Sequence, residues 1–341
     1  MKHKVCLFGR NISQVHVIKT LSKLGFPKPL IILDPIKSYI RDKKTLTKYG
    51  LFADIESMNK NLVEIIYYKN INSTNFIKFL KRKKISLGLS IGCRTIFKTE
   101  IIKFFNGNLF NIHDGLLPKE RGGGLNTWRI LLENKIFGST LHKIEKGIDT
   151  GKIISQEKTK LNIKKPYPID ILKSLASVEK KLITKFFSSI VSKKKFKFNI
   201  RSQNKNQSEY FARLYSNVNG ALDVDQKPHI FEKHVRAFSD PYEGAWTNYF
   251  GKKIFFKKVK ILKNKDKRFD SKIFNGRVLR KNSKQEVVFI IGGGLISVKN
   301  VYINGKKNSA YNLFKINSSI RNDELILNKA RSNVPNISQI K

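Results

Sequence analysis

Cysteine is nearly absent. Two residues in 341, Cys6 and Cys93, are too few for a disulfide framework, and a reducing, cytoplasmic setting is expected. No run of about 18 uncharged apolar residues occurs, so neither a transmembrane helix nor a membrane partner is expected. The apolar run within MKHKVCLFGRN is too short for a signal-peptide core, and no small-residue cleavage site follows it. Acidic residues are scarce: 25 Asp and Glu stand against 68 Lys and Arg, a net charge of +43. Such an excess attracts nucleic acid and other polyanions. A plainer reading competes, because the lysines are scattered along a chain that is rich in Asn and Ile throughout, as a generic basic surface would be. Glycine-rich phosphate motifs are missing too. The first turn holds Gly9 but no GxGxxG, and there is no Walker loop. The Cys and His spacings match no zinc site, and no metal is expected.

What is present describes a folded enzyme-sized chain. Hydrophobic residues make up 40% and aromatics 11%, enough for a packed core. Strand-like apolar runs at Lys4–Arg10, Pro29–Asp34, Leu62–Lys69, Ile85–Gly92 and Leu109–His113 alternate with helix-like spacing. In the first helix the apolar positions are Val17, Ile18, Leu21 and Leu24, with Ser13 expected as N-cap and Gly25 as the C-terminal stop. A further helix is expected around Asn75–Lys83. This alternation predicts an α/β, doubly wound, mostly parallel sheet. In such sheets ligands bind beyond the carboxyl ends of the strands, where Gly92 and His113 fall.

A helical stretch, Asp170–Val191, is followed by the basic, polar segment Ser192–Ser208, read as an exposed boundary open to proteolysis. Short β-like runs with glycine turns then predict a smaller β-rich, barrel-like C-terminal domain. The expected organisation is a catalytic domain over 1–200, the C-terminal domain with its linker over 201–320, and a polar tail over 321–341.

Three polar residues carry the chemistry. Asn111 and His113, two apart on one strand, point to the same face. Asp149 lies in EKGIDTGKI between Gly147 and Gly151. An amide that donates to a developing oxyanion, an imidazole that exchanges protons near neutrality and a carboxylate that fixes it suit acyl transfer to an amine. Each residue also has an ordinary structural reading, as a bonded strand-end histidine or a turn aspartate.

The order of the motifs bears on that choice. Asn111-Ile112-His113, then Leu116-Leu117-Pro118, then Arg121-Gly122, then Gly147-Ile148-Asp149-Thr150-Gly151 resembles the folate-dependent formyltransferase family, which includes methionyl-tRNA formyltransferases and sugar-nucleotide N-formyltransferases. FGSTLHKIEKGIDTGKII (137–154) resembles the family's segment around its catalytic aspartate. Residues 231–261 resemble the approach to its C-terminal domain, and 276–307 that small β-barrel itself. The resemblance implies that Asn111, His113 and Asp149 are catalytic, that 10-formyltetrahydrofolate is the formyl donor and that a primary amine is the acceptor. It implies folate contacts at Gly92, Cys93 and Arg94, with Leu116 and Pro118 shaping the approach to the formyl group.

Two departures bear on the acceptor. The family often has a small residue and then Ser before Leu-Leu-Pro, where this chain has Asp114 and Gly115. Gly122–Gly124 replaces the Gly-Ala-Ala-Pro typical of tRNA-formylating members. RAFSDPYEGAWT (236–247) and the Thr140–His142 stretch look closer to the sugar enzymes, whose acceptor is an amino-sugar nucleotide. Trp128 and Tyr242 are either base-stacking aromatics or core aromatics. The alternatives are a methionyl-tRNA formyltransferase, favoured by the charge, and an inactive nucleic-acid-binding protein that keeps the fold. A homodimer is compatible with each.

Overall fold

The computed structural model describes residues 3–33, 36–192, 200–263 and 272–332. The chain divides into two compact units. One comprises Met1–Gly122, Lys135–Asn162 and Leu172–Phe211; the other comprises Gly123–Asn134, Ile163–Ile171 and Ala212–Lys341.

The first unit is built on a seven-stranded sheet. Its strands are β1 (Val5–Phe8), β2 (Leu30–Leu33), β3 (Glu64–Tyr67), β4 (Leu87–Ile91), β5 (Leu109–His113), β7 (Ile136–Lys143) and β8 (Ile153–Lys160), in the order β3-β2-β1-β4-β5-β7-β8, while the short β6 (Arg121–Gly122) pairs instead with Tyr210–Phe211. The first five are parallel, and β7 and β8 add on antiparallel. Each of β1, β2 and β4 is a short apolar run buried along its whole length, because helices cover both faces of a parallel sheet. On one face Leu7, Leu89, Phe110 and Ile112 pack with α1 (Ser13–Lys23) and with Leu182, Phe186 and Phe187 of the helix Pro168–Val191. On the other, Cys6, Phe8, Ile32 and Leu109 pack with Phe76 and Leu80 of the helix Thr74–Arg82 and with Ile101 and Phe105 of the helix Thr99–Phe105.

The expected strands are present: Lys4–Arg10, Leu62–Lys69 and Ile85–Gly92 are trimmed at both ends, Pro29–Asp34 begins at Leu30 with Asp34 outside the described residues, and Leu109–His113 is kept whole. The start of α1 differs from expectation. Ser13 is the first helical residue rather than the cap, and its N–H is taken by Asn11 Oδ1 at 2.8 Å. Ile12 occupies the cap position, Asn11 Oδ1 just before it supplies the acceptor, and the Ser13 hydroxyl donates to Glu179. The basic segment read as a boundary lies outside the described residues at 193–199. Beyond them, Arg201 bridges Ile153 antiparallel, and this part of the segment belongs to the first unit.

The second unit holds two four-stranded sheets. One contains Ala245–Tyr249, Lys252–Phe256, Asn300–Ile303 and Lys306–Ser309; the other contains Lys260–Leu262, Val278–Lys281, Val287–Ile291 and Gly294–Val298. All the strand pairings within both sheets are antiparallel. Within the expected polar tail, Glu324–Ser332 is a helix whose Leu327 is buried with Ala221 and Trp246. Among the described residues no helix is long and apolar enough to cross a membrane.

Candidate active site

The site grows from the pairing of β5 with β7. Phe110 and Ile112 are committed to the core under α1, so strand alternation turns Asn111 and His113 to the opposite face. The antiparallel register sets Asn111 opposite His142 and His113 opposite Thr140. Four polar residues from two neighbouring strands therefore share one patch at the carboxyl end of β5. The β7–β8 register shifts between Leu141 and His142, a bulge of the kind that re-aims a side chain beside a functional site.

Both imidazoles face Asp149. His113 Nδ1 lies 3.6 Å from Asp149 Oδ2, and His142 Nε2 lies 3.5 Å from Asp149 Oδ1. The remaining ring nitrogens are tied to the backbone. His113 Nε2 is 2.5 Å from the Glu120 carbonyl, and His142 Nδ1 is 2.7 Å from the Lys143 carbonyl. A carbonyl only accepts, so each of these nitrogens carries a hydrogen. Asn111 Nδ2 is 3.2 Å from His142 Nε2, which orients the amide.

The Asp149 loop is held from two sides. Its residue adopts a left-handed conformation, φ 53°, which aspartate tolerates better than most side chains. The Gly122 N–H donates to its Oδ2 at 3.0 Å. Gly122 needs to be glycine, since its φ is 94° and a Cβ there would lie 2.2 Å from the Phe211 carbonyl. Gln203 donates to the carbonyls of Asp149 and Gly151 at 2.8 and 2.7 Å and accepts from Arg121. Burial pushes the Asp149 carboxyl up. The positive field of His113, the Gly122 N–H and, whenever its ring is protonated, the bond and charge of His142 outweigh it and hold the group well below the usual carboxylate range.

A second scaffold fixes the turn after β5. Thr140 Oγ1 donates to the Gly115 carbonyl and accepts from the Leu117 N–H and from Gln156 Nε2. Gln156 also donates to the Leu117 carbonyl, and Arg201 donates to Gln156. Glu120 Oε2 takes the Leu116 N–H at 2.8 Å. Gly115 is required by closeness: a Cβ would lie 2.4 Å from the Glu120 carbonyl and 2.5 Å from His113 Nε2.

The expected folate contacts lie in the same unit. Gly92, with φ 68°, directly follows β4, the strand that pairs with β5. Arg94 pairs with Asp42 at 3.3 Å, and the Cys93 thiol lies 3.7 Å from the Thr95 carbonyl. Leu116 and Pro118 are half-buried on the turn after His113. In the second unit, the indole N–H of Trp128 is taken by the Ala212 carbonyl at 2.7 Å, and Tyr242 is half-buried. Asp114, one residue past His113, turns to the α1 face. There it accepts from Ser139 and, with Glu179 and Arg10, lines a cavity of about 110 Å³. Among the described residues no group of three or more His, Cys, Asp or Glu is arranged to hold a metal ion.

Sequence reasoning missed His142 as a member of the cluster. Its signal was the alternation Thr140, His142 on an apolar strand. Reading it required the antiparallel turn-back of β7, which the βα pattern does not announce.

Residues 55–186 match the Formyl transferase family and residues 218–317 the Formyl transferase C-terminal domain. The chain belongs to the formyl transferase family. It is 30% identical over 259 residues to the bifunctional polymyxin resistance protein ArnA of Wigglesworthia glossinidia brevipalpis, covering 76% of this chain but only 38% of that protein. Against the methionyl-tRNA formyltransferase of Finegoldia magna it is 22% identical over 90% of this chain and 94% of the relative. Among solved structures, it shares the fold of WlaRD, a sugar 3N-formyl transferase determined with dTDP and 5-N-formyl-THF. The TM-score is 0.59 at 21% identity, with 90% and 99% of the two chains covered. It also shares the fold of the Helicobacter canadensis N-formyltransferase complexed with folinic acid and dTDP-3-aminofucose, with TM-score 0.58, 21% identity and 87% and 98% coverage.

Proposed function

We propose that this family member transfers a formyl group from 10-formyltetrahydrofolate to the primary amine of an amino-sugar nucleotide. The observation that carries the reading is the half-buried Asp149 carboxylate set between two imidazoles, with the Asn111 amide on the same patch. In this reading the neutral amine attacks the formyl carbon. A C–N bond forms as the carbonyl π pair moves onto oxygen. Asn111 donates to that oxygen. His113 gives its Nε2 hydrogen to the Glu120 carbonyl and turns Nδ1 toward Asp149. It therefore acts on the developing charge mainly through its field. Collapse of the intermediate expels the folate nitrogen. Gly92, Cys93 and Arg94 are proposed as the folate contacts, with Leu116 and Pro118 beside the formyl group.

Support for a sugar acceptor comes from the solved relatives bound to dTDP or dTDP-3-aminofucose and from the three glycines Gly122–Gly124. The second reading, methionyl-tRNA as acceptor, is favoured by the near-complete coverage of the Finegoldia magna enzyme and by the +43 charge.

Formyl transfer to a panel of dTDP-, GDP- and UDP-linked amino sugars and to methionyl-tRNA separates them, with initial rates followed against salt. A sugar nucleotide engages few cations, so its KM should change only a few-fold between about 50 and 200 mM salt. Formylation of methionyl-tRNA alone, with a steep salt slope, would replace the first reading by the second.

A further inference from the structure

The proposed reaction leaves a proton to be placed. The attacking amine nitrogen becomes positively charged and has to lose a proton, and the departing folate nitrogen has to gain one. Asp149 faces the patch but is a poor store for that proton, because the Gly122 N–H at 3.0 Å and the His113 ring at 3.6 Å from its Oδ2 favour the carboxylate. His113 is no better. Its Nε2 hydrogen is given to the Glu120 carbonyl, and its Nδ1 faces Asp149.

His142 is placed differently. Its Nδ1 hydrogen is fixed on the Lys143 carbonyl at 2.7 Å. Its Nε2 has two neighbours, the Asn111 amide nitrogen at 3.2 Å, which can only donate, and Asp149 Oδ1 at 3.5 Å. The amide donor requires a lone pair on Nε2, so the resting ring that fits its partners is the neutral Nδ1–H form. That lone pair lies one carboxylate oxygen away from the reacting face. His142 is also only 2% exposed, so a proton resting there does not exchange freely with water.

We infer that His142 stores the proton during formyl transfer, reached through Asp149. The inference rests on the formyltransferase reading above. As the amine–carbon bond forms, the ammonium proton of the intermediate passes by way of Asp149 Oδ1 to His142 Nε2. The resulting imidazolium is paired with the carboxylate it arrived through. When the bond from carbon to the folate nitrogen breaks, the same proton returns along the same path to that nitrogen, and the oxyanion closes back to a carbonyl. No proton is gained or lost overall, and no further reactant is needed. His142 acts through Asp149 and is a positioning and proton-holding residue rather than a group in contact with substrate.

The experiment combines a resting-state measurement with kinetics on the full-length protein. Nitrogen-15 spectra of histidine-labelled protein near neutral pH should show a neutral ring protonated on Nδ1 whose signals vanish in His142→Gln. A resting imidazolium, or an Nε2–H form, overturns the inference whatever the acceptor proves to be. His142→Gln keeps a side-chain oxygen that can accept from Asn111 but cannot hold a proton. Its kcat should fall by about 100-fold while the acceptor KM and folinic acid binding stay within about twofold of the native protein. His142→Ala should regain part of its rate with added imidazole. A His142→Gln enzyme with native kcat, or one altered only in KM, shows a structural role and sinks the proposal. If the native protein formylates no member of the acceptor panel, the functional reading fails, and the spectra still decide the proton's resting position.

Discussion

Asp149 and Glu179 are both withdrawn from water, yet their surroundings drive them in opposite directions. Asp149 has two imidazoles and a backbone N–H around it, and they outweigh the cost of burial. Glu179 sits in the same unit, next to the cavity on the α1 face of β5. Burial raises its carboxyl well above the ordinary value, the charge and hydrogen bond of Asp114 raise it further, and the Ser13 hydroxyl offsets this only in part. Two adjacent residues, His113 and Asp114, separate the environments, because strand alternation sends one to each face of the sheet. Burial alone therefore does not set a carboxyl's charge state; the sign of the nearest partners does.

The sharpest break in that comparison is to remove the carboxylate that is held ionised. Asp149→Ala or His113→Ala should lower turnover by a factor on the order of 100 or more while the fold persists. Initial-rate measurements on the acceptor found active, alongside circular dichroism, check this. Near-native turnover in a folded His113→Ala protein would remove the proposed chemistry. Stability should move with pH as well. Asp149 binds fewer protons folded than unfolded, so its contribution is fully present above the ordinary aspartate pKa of about 3.9. It is lost as pH falls from there toward the lower folded value. Urea midpoints of Asp149→Asn and native protein should converge as pH drops through that window.

The effect next in size comes from Gly115. The resemblance to relatives carrying Ser at this point sets up a direct test, because a side chain here would collide with the Glu120 carbonyl and with His113 Nε2. Gly115→Ser should displace the carbonyl that anchors the ring. It should lower kcat by about tenfold, less than deleting the ring, and cost about 1–3 kcal/mol of stability from the forced backbone shift. An unchanged kcat would mean that the carbonyl contact does not orient His113.

These two faces were not equally legible in the sequence. Leu109–His113 was readable because an apolar run ends in a polar i, i+2 pair, and that spacing alone places Asn111 and His113 together. The link to Asp149 was readable from motif order, but not its geometry, which depends on a left-handed residue and on Gly122 brought in by pairing with Tyr210–Phe211. His142 was hidden because it joins Asn111 only through an antiparallel register between strands 31 positions apart. Glu179 left a trace that went unused. It falls four residues after Leu175 and four before Ile183 on a helix where both are buried, so it occupies a core-facing position. The partner that perturbs it, Asp114, comes from a distant strand end, and no helical pattern shows that.

The smallest expected effect is the mirror image of the first. In Glu179 the folded state favours the protonated carboxyl, so between the ordinary glutamate pKa of about 4.3 and the raised folded value the native protein binds more protons than the unfolded chain. Stability attributable to this group therefore declines as pH rises through that window, opposite in sign to Asp149. Glu179→Gln keeps the shape and an oxygen to accept from Ser13, and it carries no charge to desolvate beside Asp114. It should leave the protein as stable as native below the ordinary glutamate pKa and slightly more stable above the raised folded value, a shift of a few degrees or less in Tm, with kcat little changed. Thermal melts of both proteins across the pH range decide it. A Glu179→Gln protein that is destabilised most at alkaline pH would show that the ionised carboxylate is favoured there, and that the two faces of the β5 strand do not differ in the way their neighbours imply.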